Sequence, residues 1–165
     1  MSGLTILRWP DPRLTRPCDP VEAEDLSDLA QQMLRTMYAA AGRGLAGPQV
    51  GVMKRIFVMD CGWKEGDPDP VVMINPTIMA ADHTPVVADE GCLSIPGLCL
   101  PVARPRAVTV QWTDATGQIH MDDFDGFAAR CIQHEMDHLA GLVTLDHLDP
   151  AARAEAEAQY LAGAA

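Results

Sequence analysis

The stretch GRGLAGPQVG, residues 42–51, spaces three glycines as G-x-G-x-x-G, and its reading decides between two folds. In a doubly wound nucleotide-binding domain those glycines follow a strand and open a helix, whose first N–H groups face a pyrophosphate. Asp60 would then be the acidic residue that such a site places roughly 20 positions on. The flanking sequence runs the other way. Leu26, Leu29, Met33, Leu34 and Met37 recur at three- and four-residue steps, which predicts an amphipathic helix over residues 23–41. RIFVMD, residues 55–60, reads as a strand. The glycines thus leave a helix and lead towards a strand, and Pro48 interrupts the place where a new helix would begin. The nucleotide reading fails on this order of elements.

Further along, residues 71–74 read as a second strand, ended by Asn75-Pro76, after the polar loop CGWKEGDPDP of residues 61–70. Val108, Val110 and Trp112 alternate along a third, and Asp114-Ala-Thr-Gly117 has the composition of its hairpin turn. A second helix is expected over residues 125–140, with Gly141 as its stop, and Asp149-Pro150 opens a helical tail.

The 165 residues, 48% hydrophobic and 21% charged, carry a net charge of −11. This fits one globular domain spanning residues 1–165, large enough for a sizeable core. The acidic balance argues against nucleic acid or an anionic membrane as main partner, because both reward clustered Lys and Arg. No secretion leader is expected, since residues 1–17 break into Trp, Pro and charge after four to five apolar residues, and no run approaches the roughly 18 apolar residues of a membrane span. Five cysteines without a regular framework fit a reducing, cytoplasmic setting.

The chemistry concentrates in QHEMDHLAG, residues 133–141. His134 and His138 are four apart, so on a helix both imidazoles leave one face and can share a metal. Glu135 lies between them, placed to act on water beside the metal. A catalytic site of this kind needs a third protein ligand and an open position. His147, Asp146 and Asp149 lie downstream, without protease-type spacing. Upstream, Cys92 in DEGCLSIPG has an acid, a glycine and Ser94 around it, and two histidines with a thiolate suit a divalent transition metal. Cys18, Cys61 and Cys131 read as small buried hydrophobes.

Three motifs together carry a resemblance. The chain reads Gly42-Arg43-Gly44-Leu45-Ala46-Gly47-Pro48-Gln49, then Glu90-Gly91-Cys92-Leu93-Ser94, then Gln133-His134-Glu135-Met136-Asp137-His138-Leu139. In that order it closely resembles the peptide deformylases, whose motifs are G-x-G-L-A-A-x-Q, E-G-C-L-S and Q-H-E-x-D-H-L. The resemblance runs over about residues 4–148, including WPDPRLTRPCDPV and VVMINPTI. It implies an α+β fold, with antiparallel sheets packed around a central helix that carries the H-E-x-x-H motif. Cys92, His134 and His138 would hold one divalent metal, Fe2+ in the cell, with Zn2+, Ni2+ or Co2+ able to occupy the site. The implied reaction is hydrolysis of the N-formyl group from the N-terminal methionine of newly synthesised polypeptides, releasing formate. Glu135 would accept a proton from water and later deliver it to the departing amine. The Gln49 amide and the Leu93 backbone N–H would face the oxyanion, while Arg43, Gly44, Gly91 and Arg130 would border the bound peptide.

Departures from the family pattern bear on substrate. Gly47 replaces the usual Ala, and Cys99 replaces a position where many members have Arg or another polar residue. Arg43 stands where the family has an aliphatic residue lining the methionine pocket, and Arg130 falls near that pocket by helical spacing. Two alternatives therefore accompany the main reading: a deformylase-like hydrolase with a shifted N-formyl substrate, and a catalytically silent metal-binding homologue. Retention of Glu135 and Gln49, neither of them a ligand, argues against the second. Of the Arg43 arrangements, a head directed outward over its apolar stem is favoured, since arginine keeps its charge in water.

A monomer that docks weakly on ribosomes is expected, because the tail beyond Asp149 offers only Arg153 as a cation, beside Glu155 and Glu157. Sedimentation with purified ribosomes at physiological salt should give binding no tighter than about 1 μM. Tighter, salt-sensitive binding through this tail would contradict that reading.

Overall fold

The computed structural model of the protein describes residues 3–163. Its elements are α1 (Ser27–Ala39), β1 (Gly44–Ala46), β2 (Ile56–Met59), β3 (Val71–Ala81), β4 (Pro85–Gly91), β5 (Cys99–Pro105), β6 (Ala107–Thr113), β7 (Ile119–Asp125), α2 (Gly126–Leu139) and α3 (Pro150–Gly163). Five strands form an antiparallel sheet in the order β1-β2-β3-β6-β7, and β4 pairs with β5 as a separate hairpin. The fold is α+β with antiparallel sheets, as the sequence implies.

Successive strand residues point to opposite faces, so a strand covered on both sides must be apolar throughout. β2 meets this condition. Phe57 and Met59 pack with Ala129, Ile132 and Leu139 of α2, whereas Ile56 and Val58 pack with Ala30, Met33 and Met37 of α1. The two helices thus sandwich the β1–β2 end of the sheet. Val108, Val110 and Trp112 of β6 turn inward as their alternation predicts. A third cluster lies beneath the β4–β5 hairpin, where Ile95, Leu98 and Leu100 meet Leu14, Val143, Leu145 and Tyr160.

Two expected boundaries are corrected. Helix α1 begins at Ser27 rather than residue 23. The Asp25 carboxylate accepts bonds from the Ser27 backbone N–H at 2.9 Å and its hydroxyl at 2.6 Å, a local partner that competes with helix for this segment. Strand β3 does not end at Asn75-Pro76 but continues to Ala81. Asn75 takes a left-handed φ of 50°, and the register shifts between Ile74 and Thr77. A bulge therefore absorbs the proline that would otherwise stop the ladder. The Asn75 side chain bonds the Val21 backbone in both directions, at 2.8 Å each.

The other signals hold. The Asp114–Gly117 turn closes with Gly117 N–H on the Asp114 carbonyl at 3.0 Å. At the start of α3 the Ala152 N–H donates to Asp149. Helix α2 ends where Gly141 turns to φ 81°, and a Cβ there would lie 2.8 Å from the Arg16 carbonyl carbon. Gly141→Ala is accordingly expected to cost about 2 kcal/mol or more, from left-handed strain plus this clash. Urea unfolding of the variant should show a lower midpoint with an unchanged slope.

Candidate active site

The site is built where α2 faces the end of the β4–β5 hairpin. Helix α2 buries Ala129, Cys131, Ile132 and Leu139 in the core, which leaves His134, Glu135 and His138 along the side facing Cys92, the residue that follows β4. One donor atom from each of Cys92, His134 and His138 lies within 4.8 Å of the others. Cys92 Sγ is 3.4 Å from His138 Nε2, and His134 Nδ1 is held at 2.9 Å by Glu90 Oε1, which leaves its other nitrogen free. No other such cluster occurs among the described residues. The downstream candidates are engaged elsewhere: His147 with Asp137 at 2.7 Å, Asp146 with the Val143 N–H and Arg153, and Asp149 at the start of α3.

Glu90 anchors the group. Arg104 grips its carboxylate through two bonds of 2.6 and 2.9 Å, and Arg130 adds a third at 2.6 Å. Burial pushes the Glu90 carboxyl up, but hydrogen bonds from His134 and Arg104 outweigh it and hold it well below the usual carboxylate range. Arg104 also bonds Asp137 at 2.9 Å, so a single buried guanidinium ties the hairpin to the helix. Sequence reasoning passed over Arg104, yet its signal existed. Leu100, Val102 and Arg104 alternate as the inward residues of β5, which places a charge on a buried face and calls for an acidic partner.

Burial pushes the Glu135 carboxyl up to about 7, and its Oε1 has no hydrogen-bond partner. Burial and the positive charges at His134 and Arg104 hold His138 well below its ordinary value, so its ring is neutral. Burial would also lower His134, but Glu135, Cys92 and Glu90 overcome it and raise it well above the ordinary value. A soft sulfur and two imidazoles suit a divalent cation, and the donor set fits the metal the family implies.

A cavity of about 730 Å³ opens onto this cluster. Arg43, Gly44, Gln49, Gly91, Leu93 and Arg130 line it together with Cys92, His134 and Glu135, while His138 lies behind. Gln49, buried in the turn after β1, accepts the Ala46 N–H at 2.9 Å through Oε1. Its amide nitrogen points at Ser94 Oγ, 3.0 Å away, and at Cys92 Sγ, 3.7 Å away. The glycines of residues 42–51 serve close approach rather than phosphate. A Cβ on Gly44 would sit 2.5 Å from Glu135 Oε2, and one on Gly42 would sit 2.6 Å from Leu93 Cδ1. At Gly47 a Cβ would lie 2.6 Å from the Val52 carbonyl oxygen, which accounts for the departure there. Cys99 is exposed, paired with Gly91 across the hairpin.

Arg43 takes the outward arrangement. Its guanidinium bonds Glu65 at 2.6 Å and lies over the Phe127 ring at 5.2 Å. Arg130 is separately engaged, by Glu90 and the carbonyls of Val102 and Val86. The loop that supplies Glu65 is pinned by the Trp63 indole N–H on the Gly42 carbonyl at 2.9 Å and by Tyr38 against the Trp63 ring.

Known proteins agree with this site and fold. The polypeptide deformylase family matches residues 4–154. A peptide deformylase of Erythrobacter litoralis is 42% identical, over 90% of each chain. The crystal structure of peptide deformylase from Ehrlichia chaffeensis superimposes with a TM-score of 0.91 at 36% identity, over 99% of this chain and 98% of that one. That of Synechococcus elongatus, solved in complex with actinonin, gives 0.88 at 40% identity, over 94% and 86%. At this identity and coverage the match extends well beyond the three motifs, and the chain belongs to the peptide deformylases, a family of metal-dependent hydrolases.

Proposed function

We propose that this protein removes the N-formyl group from the N-terminal methionine of newly synthesised polypeptides as a single-domain enzyme of the cytoplasm. The observation that carries the reading is the convergence of Cys92, His134 and His138 beside a buried, partly unpartnered Glu135 carboxylate. These three residues would hold one divalent ion, Fe2+ in the cell, since a Cys-His-His set accepts several late first-row metals and availability chooses among them. When bound, the ion supplies Lewis acidity and makes water acidic enough to lose a proton near neutral pH.

The chain's own groups then have distinct tasks. Glu135, with its carboxyl near 7, is matched to taking a proton from water and returning it to the departing amine at physiological pH. The Gln49 amide, already directed at Cys92, and the Leu93 N–H would receive the charge that develops on the formyl oxygen. Glu90 fixes the His134 ring through Nδ1 and leaves the other nitrogen for the metal. Gly44 and Gly91 leave room for a peptide backbone, with Arg43 and Arg130 at the pocket's border. The acidic surface supports a monomer whose partner is the formylated chain, not nucleic acid or membrane. Among the described residues no helix is long and apolar enough to cross a membrane.

Formate release from a formyl-Met peptide, measured anaerobically with ferrous iron and repeated with nickel, tests the activity. Cys92→Ala should lose stoichiometric metal. Glu135→Ala should keep the metal and lose turnover by about 10²–10⁴-fold. Near-normal turnover in Glu135→Ala would rule out its role. Because Arg43 is turned to Glu65, methionine should remain the preferred first residue, and Arg43→Ile should change the rate on formyl-Met by less than about tenfold. A wild type that favoured formyl-Glu over formyl-Met and formyl-norleucine, with the order reversed in Arg43→Ile, would overturn this assignment.

A further inference from the structure

The loop of residues 60–69 is closed upon itself by one buried carboxylate. Asp60, fully buried just after β2, accepts the Asp69 N–H at 2.9 Å, the Gly62 N–H at 3.3 Å and the Tyr38 hydroxyl at 2.5 Å. Its own N–H donates to the Arg43 carbonyl at 2.9 Å. With the Trp63 indole on the Gly42 carbonyl, both the base and the middle of the loop are tied to the first glycine motif. Glu65 ends the single helical turn Trp63–Glu65 inside this frame, and its side chain is 61% exposed.

Arg43, across from it, has one tether. Its Nη2 bonds Glu65 at 2.6 Å, and no other carboxylate bonds it among the described residues. Its Nε is buried without a partner, and its guanidinium rests over the Phe127 ring. Arg43 and Phe127 both line the cavity that opens onto the metal cluster, and so does Glu135, whose Oε1 is unpartnered. A charge at the edge of a cavity that holds an anion has two places to go, and Glu65 decides between them. We propose that Glu65 is a specificity-determining residue: by holding the Arg43 guanidinium outside, it keeps the cavity open to an uncharged first side chain of the peptide. The effect on substrate rests on the deformylase reading, whereas the placement of Arg43 does not.

An exposed ion pair is weak mainly because two long side chains must be ordered to form it. Here much of that ordering is in place beforehand, since Glu65 stands on a loop fixed at several points and the Arg43 head lies on an aromatic face. The attraction is then available to choose where the guanidinium rests. Turned inward, the same group would occupy volume that an apolar side chain needs and would leave a charge beside it short of water. An acidic first residue would gain from that movement, because the guanidinium could pair with it directly. Glu65 touches neither peptide nor metal in this scheme; it acts through Arg43.

The test compares nickel-loaded wild type, Glu65→Ala, Arg43→Ile and the double variant on formyl-Met, formyl-norleucine and formyl-Glu peptides. Glu65→Ala should lower kcat/KM on formyl-Met and formyl-norleucine about fivefold and raise formyl-Glu relative to both. Adding Arg43→Ile should cancel the loss, bringing formyl-Met to within about twofold of the Arg43→Ile protein. A general weakening of the loop would not be repaired in this way. A crystal structure of Glu65→Ala should show the Arg43 head inside the cavity. Unchanged kcat/KM in Glu65→Ala, a loss that persists in the double variant, or an Arg43 head still turned to water each overturns the role of Glu65. Wild-type protein inactive on all three peptides would count instead against the deformylase reading, and the Glu65→Ala crystal structure would then decide the placement of Arg43 by itself.

Discussion

The carboxylate of Glu90 is the constraint on which the site depends. It is buried at the end of β4 and accepts from Arg104, Arg130 and His134, joining both strands of the hairpin to α2. A buried ion pair returns little net stability for the water its charges give up, but breaking one by removing a partner costs about 3–5 kcal/mol. Such a group is therefore better understood as fixing geometry than as adding stability. Here it fixes the distance from Cys92, two residues beyond Glu90, to His134, whose ring Glu90 orients. Side chains that converge from a hairpin and a helix far apart in sequence need a tie of this kind, because neither element alone sets their separation.

Around that tie the chain removes bulk. Gly42 and Gly44 bring the backbone of the first motif against Leu93 and Glu135, at distances where a Cβ would have to displace those side chains. The Gln49 side chain is locked between Ala46 and Ser94, so its amide is pre-aimed at the cluster. Fixed dipoles of this kind need no reorientation when charge develops, which is the source of their effect in a water-poor site. Arg43, the one charged side chain in the glycine segment, is neutralised outside this arrangement by Glu65.

Much of this was legible in the sequence because local patterns report local physics. Four-residue spacing placed His134 and His138 on one face; alternation at Val108, Val110 and Trp112 gave β6; Gly141 marked the end of α2. The misses were non-local or depended on a competing partner. Asn75-Pro76 reads as a stop unless the bulge is known, and the bulge depends on Val21, more than fifty residues away, bonding the Asn75 side chain. Arg104 reads as a surface charge until β5 is recognised as a half-buried strand.

The third apolar cluster adds a matter of timing. Trp9, near the beginning of the chain, accepts the Tyr160 hydroxyl on its carbonyl at 2.9 Å, and its ring meets the Tyr160 ring edge-on. The same cluster packs beneath Ile95 and Leu98 and against Cys92 itself. The floor under Cys92 is thus closed by a contact between residues 151 positions apart. While this chain is being synthesised, the helix bearing both histidines exists before that floor does. The packing beneath Cys92 is therefore complete only once Tyr160 has been made and has docked against Trp9, later than both histidines.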